Sequence, residues 1–469
     1  MTVPDKKWGS LPYWALLIFL TITFLTGGAS RSDVQSLVIL RPAAVLFLAY
    51  GLWNMQWQQA MSHRLVFILA LGTVLVTLAH LVPLPPTIWE QLPGRELAAE
   101  ISRLTLKEPV WRPISLVPPA TWNAFYALMI PMAVLIMAIQ LEREQKFSLL
   151  FVLMGFAIVT AVVGFGQSIA PGDPLYLYRI TNEDSAVGLF ANRNHQAVLL
   201  AMLIPMLAIY AATAADSVEK IRFRILLSIG GGMIIIPLIL VTGSRAGLLV
   251  GAIGILSIPL LYRKHGNVKP PKRKAVKTDF RYFIGFGAVI ALVLITILMA
   301  RGQAFERMAE SGNTEEFRFR MWQPVIQAAW TYFPIGSGAG TFVEVYQVHE
   351  PKDLLSIYYV NHAHNDFLEM LLTTGLPGVL LTFVGAAAYV RAAWAAFQSY
   401  KSRNREKLYA RLGAVLIFML MIASAADYPL RVPALVSIFV VAVVWLAYPK
   451  MDSSPNVTNA RRSIERSET

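Results

Sequence analysis

Apolar residues in this chain come in runs of about 20, separated by short polar stretches. A run of that length crosses the hydrocarbon core of a bilayer as a helix. The runs predict about twelve spans, near 11–29, 35–53, 65–84, 121–140, 148–170, 195–214, 225–242, 246–262, 283–300, 368–398, 409–426 and 432–448. The stretch 368–398 is too long for one simple span. Gly375, Pro377 and Gly378 predict that it splits into a short lead-in helix and a true span. The fold class expected is an all-α polytopic membrane protein. A single membrane domain covers 1–450, and 451–469 reads as a disordered tail.

Three polar segments between spans are substantial: 85–120, 171–194 and 301–366. The first is amphipathic and proline-flanked. The third belongs to the same membrane domain and exceeds the roughly 15 residues beyond which a loop is usually functional or disordered. It is not low-complexity. In "FRFRMWQPVIQAAWTYF", Trp322, Ile326, Ala329, Trp330 and Phe333 recur at helical spacing, which predicts a helix lying against the membrane surface. The following "PIGSGAG" reads as a turn.

Composition agrees with the run pattern. The chain is 56% hydrophobic and 15% charged, where a soluble domain carries roughly 25% charged residues. Its net charge of +13 would suggest nucleic acid on a soluble protein. Here the basic residues sit in short loops and are not interleaved with stacking aromatics, so no nucleic-acid partner is expected. Lys6 and Lys7, Arg143 and Lys146, Lys220, Arg222 and Arg224, the 262–282 linker and "KSRNREK" at 401–407 all fall on one side if twelve spans are threaded. That side is read as cytoplasmic, with both termini inside. The N-terminal apolar stretch of about 18 residues is longer than a signal-peptide core and reads as a retained first helix. There is no cysteine, which excludes disulfides, thiolate metal sites and cysteine nucleophiles.

The polar residues that remain carry the chemistry. "NHAHNDFLEMLLTTGLPG" at 361–378 puts His362, His364, Asn365 and Asp366 at the lip of an apolar helix. Asn365 or Asp366 suits an N-cap. His362, His364 and Asp366 spell H-x-H-x-D, a spacing found in metal sites, but Phe367 stands where another histidine would be wanted. The competing reading is a general base or hydrogen-bond donor at a water-facing helix start. Arg245, in "LVTGSRAGLLVG", lies in a tight small-residue turn. It either anchors the helix at the interface or meets an anionic ligand. Arg193, flanked by Asn192, Asn194 and His195, precedes another span on the same face. Arg41 falls inside the second span before Pro42, where structural pairing and function are equally open. Trp322, Trp330, Tyr332, Tyr346, Tyr358 and Tyr359 either stack on sugar rings or hold the loop at the interface. No P-loop and no D-x-D occurs, which argues against nucleotide and nucleotide-sugar sites.

These stretches also resemble a family. His364, Asn365, Gly375 and Gly378 fit a pattern of histidine, asparagine, nine residues, glycine, two residues, glycine. Arg245 and Leu249 in "RAGLL" fit arginine, three residues, leucine; "GLFANRNHQA" and "PISLVPPATW" are further marks. From about Pro113 to Pro429 the chain is similar to the O-antigen ligase and O-antigen polymerase superfamily of bacterial envelope glycosyltransferases. The resemblance implies around twelve GT-C-like spans in the inner membrane with a large periplasmic loop. It implies an undecaprenyl-diphosphate-linked glycan as donor, a glycan or lipid A–core as acceptor, and no metal or other cofactor. Arg245 and Arg193 would neutralise the diphosphate leaving group, and His364 would activate or position the acceptor hydroxyl; direct attack would then invert the anomeric centre. Arg320 resembles a loop arginine before the tryptophan; Asn365 and His362 complete the substrate-binding set, His362 without a firm counterpart. Ligase, polymerase and protein O-glycosyltransferase share this pattern. A transporter or flippase of an anionic lipid-linked saccharide is the competing class; paired broken helices and midplane charges would favour it.

Overall fold

The computed structural model describes residues 10–106, 108–169, 175–183, 185–213, 217–262, 316–355, 359–398 and 404–447. It is helical throughout apart from one two-residue β-ladder among the described residues. In chain order the helices are α1 Leu11–Thr26, α2 Leu37–Asn54, α3 Trp57–Ser62, α4 Arg64–Ala79, α5 Pro86–Trp89, α6 Glu96–Thr105, α7 Pro118–Ile139, α8 Arg143–Ile169, α9 Arg193–Ala212, α10 Val218–Val241 and α11 Arg245–Leu261. Then follow α12 (316–332), α13 Phe342–His349, α14 Asp366–Gln398, α15 Arg405–Ser424 and α16 Pro433–Leu446.

Seven of these, α2, α7, α8, α9, α10, α14 and α15, are long and apolar enough to cross a membrane. Four shorter apolar helices, α1, α4, α11 and α16, complete the bundle among the described residues. The chain is an all-α polytopic membrane protein. Eleven of the predicted runs coincide with these helices, and the run at 283–300 lies outside the described residues, as does the 451–469 tail. One run ends early. The apolar stretch 65–84 leaves the helix after Ala79 because Pro83 and Pro85 cannot continue it. His80 turns away instead, and its Nε2 donates to Ile335 O at 3.3 Å.

The bundle is organised around α9. Every residue of α9 except Arg193 and Tyr210 is buried, so it is wrapped by protein on all sides. The helices α10 and α14, by contrast, keep most of their apolar surface outside, with Phe383 and Trp394 exposed. That is the distribution of lipid-facing helices around a protein core, where packing rather than water exclusion holds spans together. Small residues allow the closest approach. A side chain at Gly247 of α11 would clash with Ala197 of α9, and one at Gly254 would meet Ala201 O at 3.0 Å. The two helices therefore run parallel, with their N-termini at the same end.

At that end the connecting segments fold on one another. Pro83 and Leu84 (β1) pair antiparallel with Pro113 and Arg112 (β2), closing off α5 and α6. Arg95, fully buried, donates to Pro93 O at 3.1 Å, Ile114 O at 2.6 Å and Gly336 O at 3.1 Å, and burial pushes its pKa down to about 10. The α1–α2 loop is stitched by backbone bonds: Ala191 N donates to Gly28 O at 3.1 Å and Ala434 N to Gly27 O at 3.0 Å.

The helix expected in the long loop is α12, and it carries two apolar faces. Met321, Val325, Ala328, Ala329 and Tyr332 are buried against Phe342, Tyr346 and Leu372, while Ile326 and Trp330 point outward. The two stripes share Ala329. The buried face is the one that meets α13 and the start of α14, and Ile326 and Trp330 of the stripe expected to lie against the membrane surface stay exposed on the other. The "PIGSGAG" turn packs on the break in α14. Gly375 adopts φ 57 and ψ −147, a conformation nearly reserved to glycine, and a Cβ there would clash with Pro334 O. Leu376 N, freed by the break, donates to Pro334 O at 2.7 Å.

Candidate functional site

The break leaves a lead-in helix at 366–374, and the loop 361–365 sits at its start. Asn365 caps it, its Oδ1 accepting from Phe367 N and Leu368 N, each at 3.1 Å. Ala363 is buried and tied on both sides. Its carbonyl accepts from Trp322 Nε1 at 3.1 Å, and its N–H donates to Glu369 Oε2 at 3.0 Å. Between these anchors His364 takes φ 50, a left-handed conformation that costs a non-glycine residue roughly 1–3 kcal/mol. The anchors on either side hold it there.

Glu369, one turn into α14 and buried, is the hub of this loop. It accepts from His362 Nδ1 at 3.1 Å and pairs with Arg431 Nη1 at 3.1 Å. Arg431 also reaches Asp366, Nε to Oδ1 at 3.1 Å, and Ser424 Oγ donates to Asp366 Oδ2 at 2.9 Å. Burial opposes the Arg431 charge, but Glu369 and Asp366 outweigh it and raise its pKa. The α15–α16 connection is thereby locked to the first turn of α14. That connection carries Asp427.

Asp427 Oδ1 accepts from His364 Nδ1 at 3.1 Å, and its Oδ2 accepts from Asn194 Nδ2 at 2.7 Å. Three segments far apart in sequence thus form one line, from α9 through the α15–α16 connection to the loop before α14. Burial works to raise the Asp427 pKa. The His364 hydrogen bond and the positive charge of Arg318 overcome it and hold the carboxylate well below its usual range. Burial lowers the His364 pKa, the charge of Arg318 adds to that, and Asp427 opposes both. The pair therefore stands as carboxylate and neutral imidazole at neutral pH. Nδ1 carries the proton toward Asp427, which leaves the lone pair on Nε2. Nε2 makes no hydrogen bond among the described residues, and the His364 side chain is 16% exposed, enough for a substrate atom to reach it.

Tyr428 packs in the centre. Its ring contacts His362, His364 and His195 at centroid separations of 4.3, 4.9 and 5.1 Å. Burial and the neighbouring Asp427 charge push its phenol up to about 12, so it stays protonated. His195 is fully enclosed, and among the described residues neither ring nitrogen has a hydrogen-bond partner. Arg318, on the first turn of α12, has a buried Nε without a partner among the described residues, and its charge acts on His364, Asp427 and Tyr428 together.

The residues expected from sequence divide accordingly. His362, His364 and Asn365 share the loop, but only His364 keeps a nitrogen open: His362 uses Nδ1 on Glu369 and Nε2 on Ser30 Oγ at 3.2 Å. Arg193 is the first residue of α9, beside Asn194. Arg245 is the first residue of α11, exposed, with Ser244 capping the helix by accepting from Gly247 N at 2.9 Å. The parallel packing of α9 and α11 puts both arginines, and both positive helix ends, at the same end of the bundle. Arg320 points the other way, into an exposed ion pair with Asp353 at 2.7 Å. Of the aromatic set, Tyr332 and Tyr346 are core residues of the loop, Trp322 braces Ala363, Trp330 and Tyr359 are exposed, and Tyr358 lies outside the described residues.

The H-x-H-x-D spacing does not converge. His362, His364 and Asp366 face Glu369, Asp427 and Arg431 respectively. Among the described residues no group of three or more histidine, aspartate and glutamate side chains is placed to hold a metal ion. Asp427, Arg318, Glu369 and Arg431 are the site residues that sequence reasoning passed over. The signal available for Asp427 and Arg431 was their position in "ADYPLR", a charged pair between two spans on the same face as the histidines.

Residues 230–383 match the family model described as O-antigen ligase. No curated protein matches the chain.

Proposed function

We propose that this chain, which its O-antigen ligase domain places in the O-antigen ligase and polymerase superfamily, transfers a glycan from an undecaprenyl-diphosphate carrier to an acceptor hydroxyl at the periplasmic face of the bacterial inner membrane. The single observation that carries this reading is the line from Asn194 through Asp427 to His364, which ends in an unoccupied imidazole nitrogen. His364 Nε2 takes the proton from the acceptor hydroxyl. The acceptor oxygen forms the new bond to the anomeric carbon as the bond from that carbon to the carrier phosphate breaks. Asp427 keeps the proton of neutral His364 on Nδ1 and then stabilises the imidazolium, as an orienting carboxylate does in other base-assisted transfers. The leaving diphosphate needs cations aimed at its developing charge. Arg193, Arg245 and Arg318, with the N-termini of α9 and α11, supply them. Attack from the face opposite the diphosphate inverts the anomeric centre.

The distribution of lysine and arginine supports this orientation, with both termini cytoplasmic and the site outside. Lipid A–core, a growing glycan on a second carrier, and a protein hydroxyl are the candidate acceptors. The test is a gel profile of surface and lipid-linked glycans from a null strain carrying wild-type or His364→Ala protein. Long chains left on the carrier with a bare acceptor identify a ligase. An acceptor bearing one repeat unit identifies a polymerase. A variant profile identical to wild type would overturn the transfer reading in favour of a transporter.

A further inference from the structure

Arg41 takes no part in the site above, and it lies outside the segment that matches the family. It stands one turn into α2, next to Pro42, in a helix that is otherwise apolar. Its guanidinium carbon lies 5.9 Å from the ring centroid of Tyr126 on α7. Its Nε is buried without a hydrogen-bond partner, and among the described residues no carboxylate pairs with it. A charged group in a membrane-spanning helix is expensive unless something pairs with it.

The space around it points to what does. Arg41, Pro42, Val45, Leu46 and Tyr126 line a cleft of about 470 Å³ between α2 and α7. Val45 and Leu46 are 50% and 69% exposed, so the wall one turn deeper than Arg41 faces lipid. Trp122, one turn before Tyr126, is exposed as well. Exposed Trp and Tyr mark the level of lipid headgroups. One cation therefore sits at headgroup depth, above an apolar channel that opens sideways.

We infer that this cleft is a binding site for an anionic phospholipid, its phosphate on Arg41 and an acyl chain along Val45 and Leu46. Among the described residues Arg41 is the only cation lining the cleft. That suits the single phosphate of a bilayer lipid better than the diphosphate of a glycan carrier. Arginine is the side chain best matched to phosphate oxygens, and its aromatic neighbour keeps the guanidinium in place. The site is independent of the proposed transfer reaction.

Native mass spectrometry of the full chain, titrated with phosphatidylglycerol, tests it. The wild type should retain one phosphatidylglycerol more tightly than phosphatidylcholine. Arg41→Gln should weaken that retention about tenfold, the loss expected for one charge-assisted contact. Leu46→Trp fills the cleft from its exposed wall and leaves Arg41 in place, so it should weaken retention to a similar degree without disturbing the fold. Equal retention by wild type and both variants would overturn the inference. So would equal binding of the two phospholipids, or one-for-one displacement by undecaprenyl diphosphate, which would make the cleft a carrier site.

Discussion

Replacing Asp427 with asparagine changes one atom type in a buried position and leaves its volume intact. The carboxylate accepts from two donors, His364 Nδ1 at 3.1 Å and Asn194 Nδ2 at 2.7 Å. An amide has one acceptor oxygen and one donor nitrogen, so it cannot accept from both. With Asn194 held in its present orientation, Nδ2 toward position 427, it is His364 that must exchange tautomers. The amide oxygen of the variant will face Asn194, and its nitrogen will donate to Nδ1. The proton of neutral His364 then moves to Nε2, where it blocks the lone pair that should receive the acceptor proton. General-base assistance contributes roughly 10²–10⁴-fold, so kcat should fall by that factor, about 3–5 kcal/mol of barrier. The assay is transfer by purified protein in proteoliposomes with a lipid-linked glycan donor, alongside scanning fluorimetry to show that the fold survives. The double variant Asp427→Asn with Asn194→Asp moves the carboxylate one residue back. The amide at 427 can then donate to position 194 and accept from Nδ1, which restores the productive tautomer. The double variant should regain at least tenfold over the single one. A single variant within about threefold of wild type, or a double variant no faster than the single, would refute the reasoning.

The same geometry gives three more expectations. Arg318→Gln should reduce transfer on the order of 10²-fold, because its charge bears on the dyad, while Arg320→Gln should stay within about twofold, since its exposed pair with Asp353 contributes little; paired rate measurements compare them. Because burial lowers the His364 pKa from 6.5, the neutral base persists as pH falls past that value. The profile of kcat/KM should therefore stay level through neutrality, with its acid limb below pH 6.5; a limb above 7 would contradict the assignment. Gly375→Ala should cost about 1–3 kcal/mol through its backbone conformation alone, seen as a lower Tm with transfer reduced in parallel.

How much of this was legible beforehand depends on range in sequence. Apolar run length located the spans because each is a local property, and Gly375 with Pro377 located the break for the same reason. His364 stood out because titratable groups at a membrane lip are costly. Asp427 did not, although it obeys the same rule, because its partner lies 63 residues away. Arg318 and Arg320 are two positions apart on a helix. Periodicity alone does not say which of them bears on the dyad: the charge of Arg318 acts on His364, Trp322 braces Ala363, and Arg320 pairs with Asp353. The protein-facing side of α12 was not legible for a related reason, since two stripes of apolar content run along the helix and only the partner helices decide which one they cover.

The clasp of Arg431 on Asp366 and Glu369, and the line from Asn194 to His364, have a bearing on how such proteins can be recombined. Residues 230–383 carry His364, Glu369, Arg245 and Arg318. Asn194, Asp427 and Arg431 lie outside that stretch on either side, and Ser30, which His362 touches, lies almost at the start of the chain. The segment that matches the family is therefore not a transplantable cassette. A chimera that exchanged it between two such proteins would carry over the proposed base and leave behind the groups that hold it in place. Substrate preference would be better swapped by trading whole end-on layers, namely the first two helices, the start of α9 and the last connection, together with the loop they embrace.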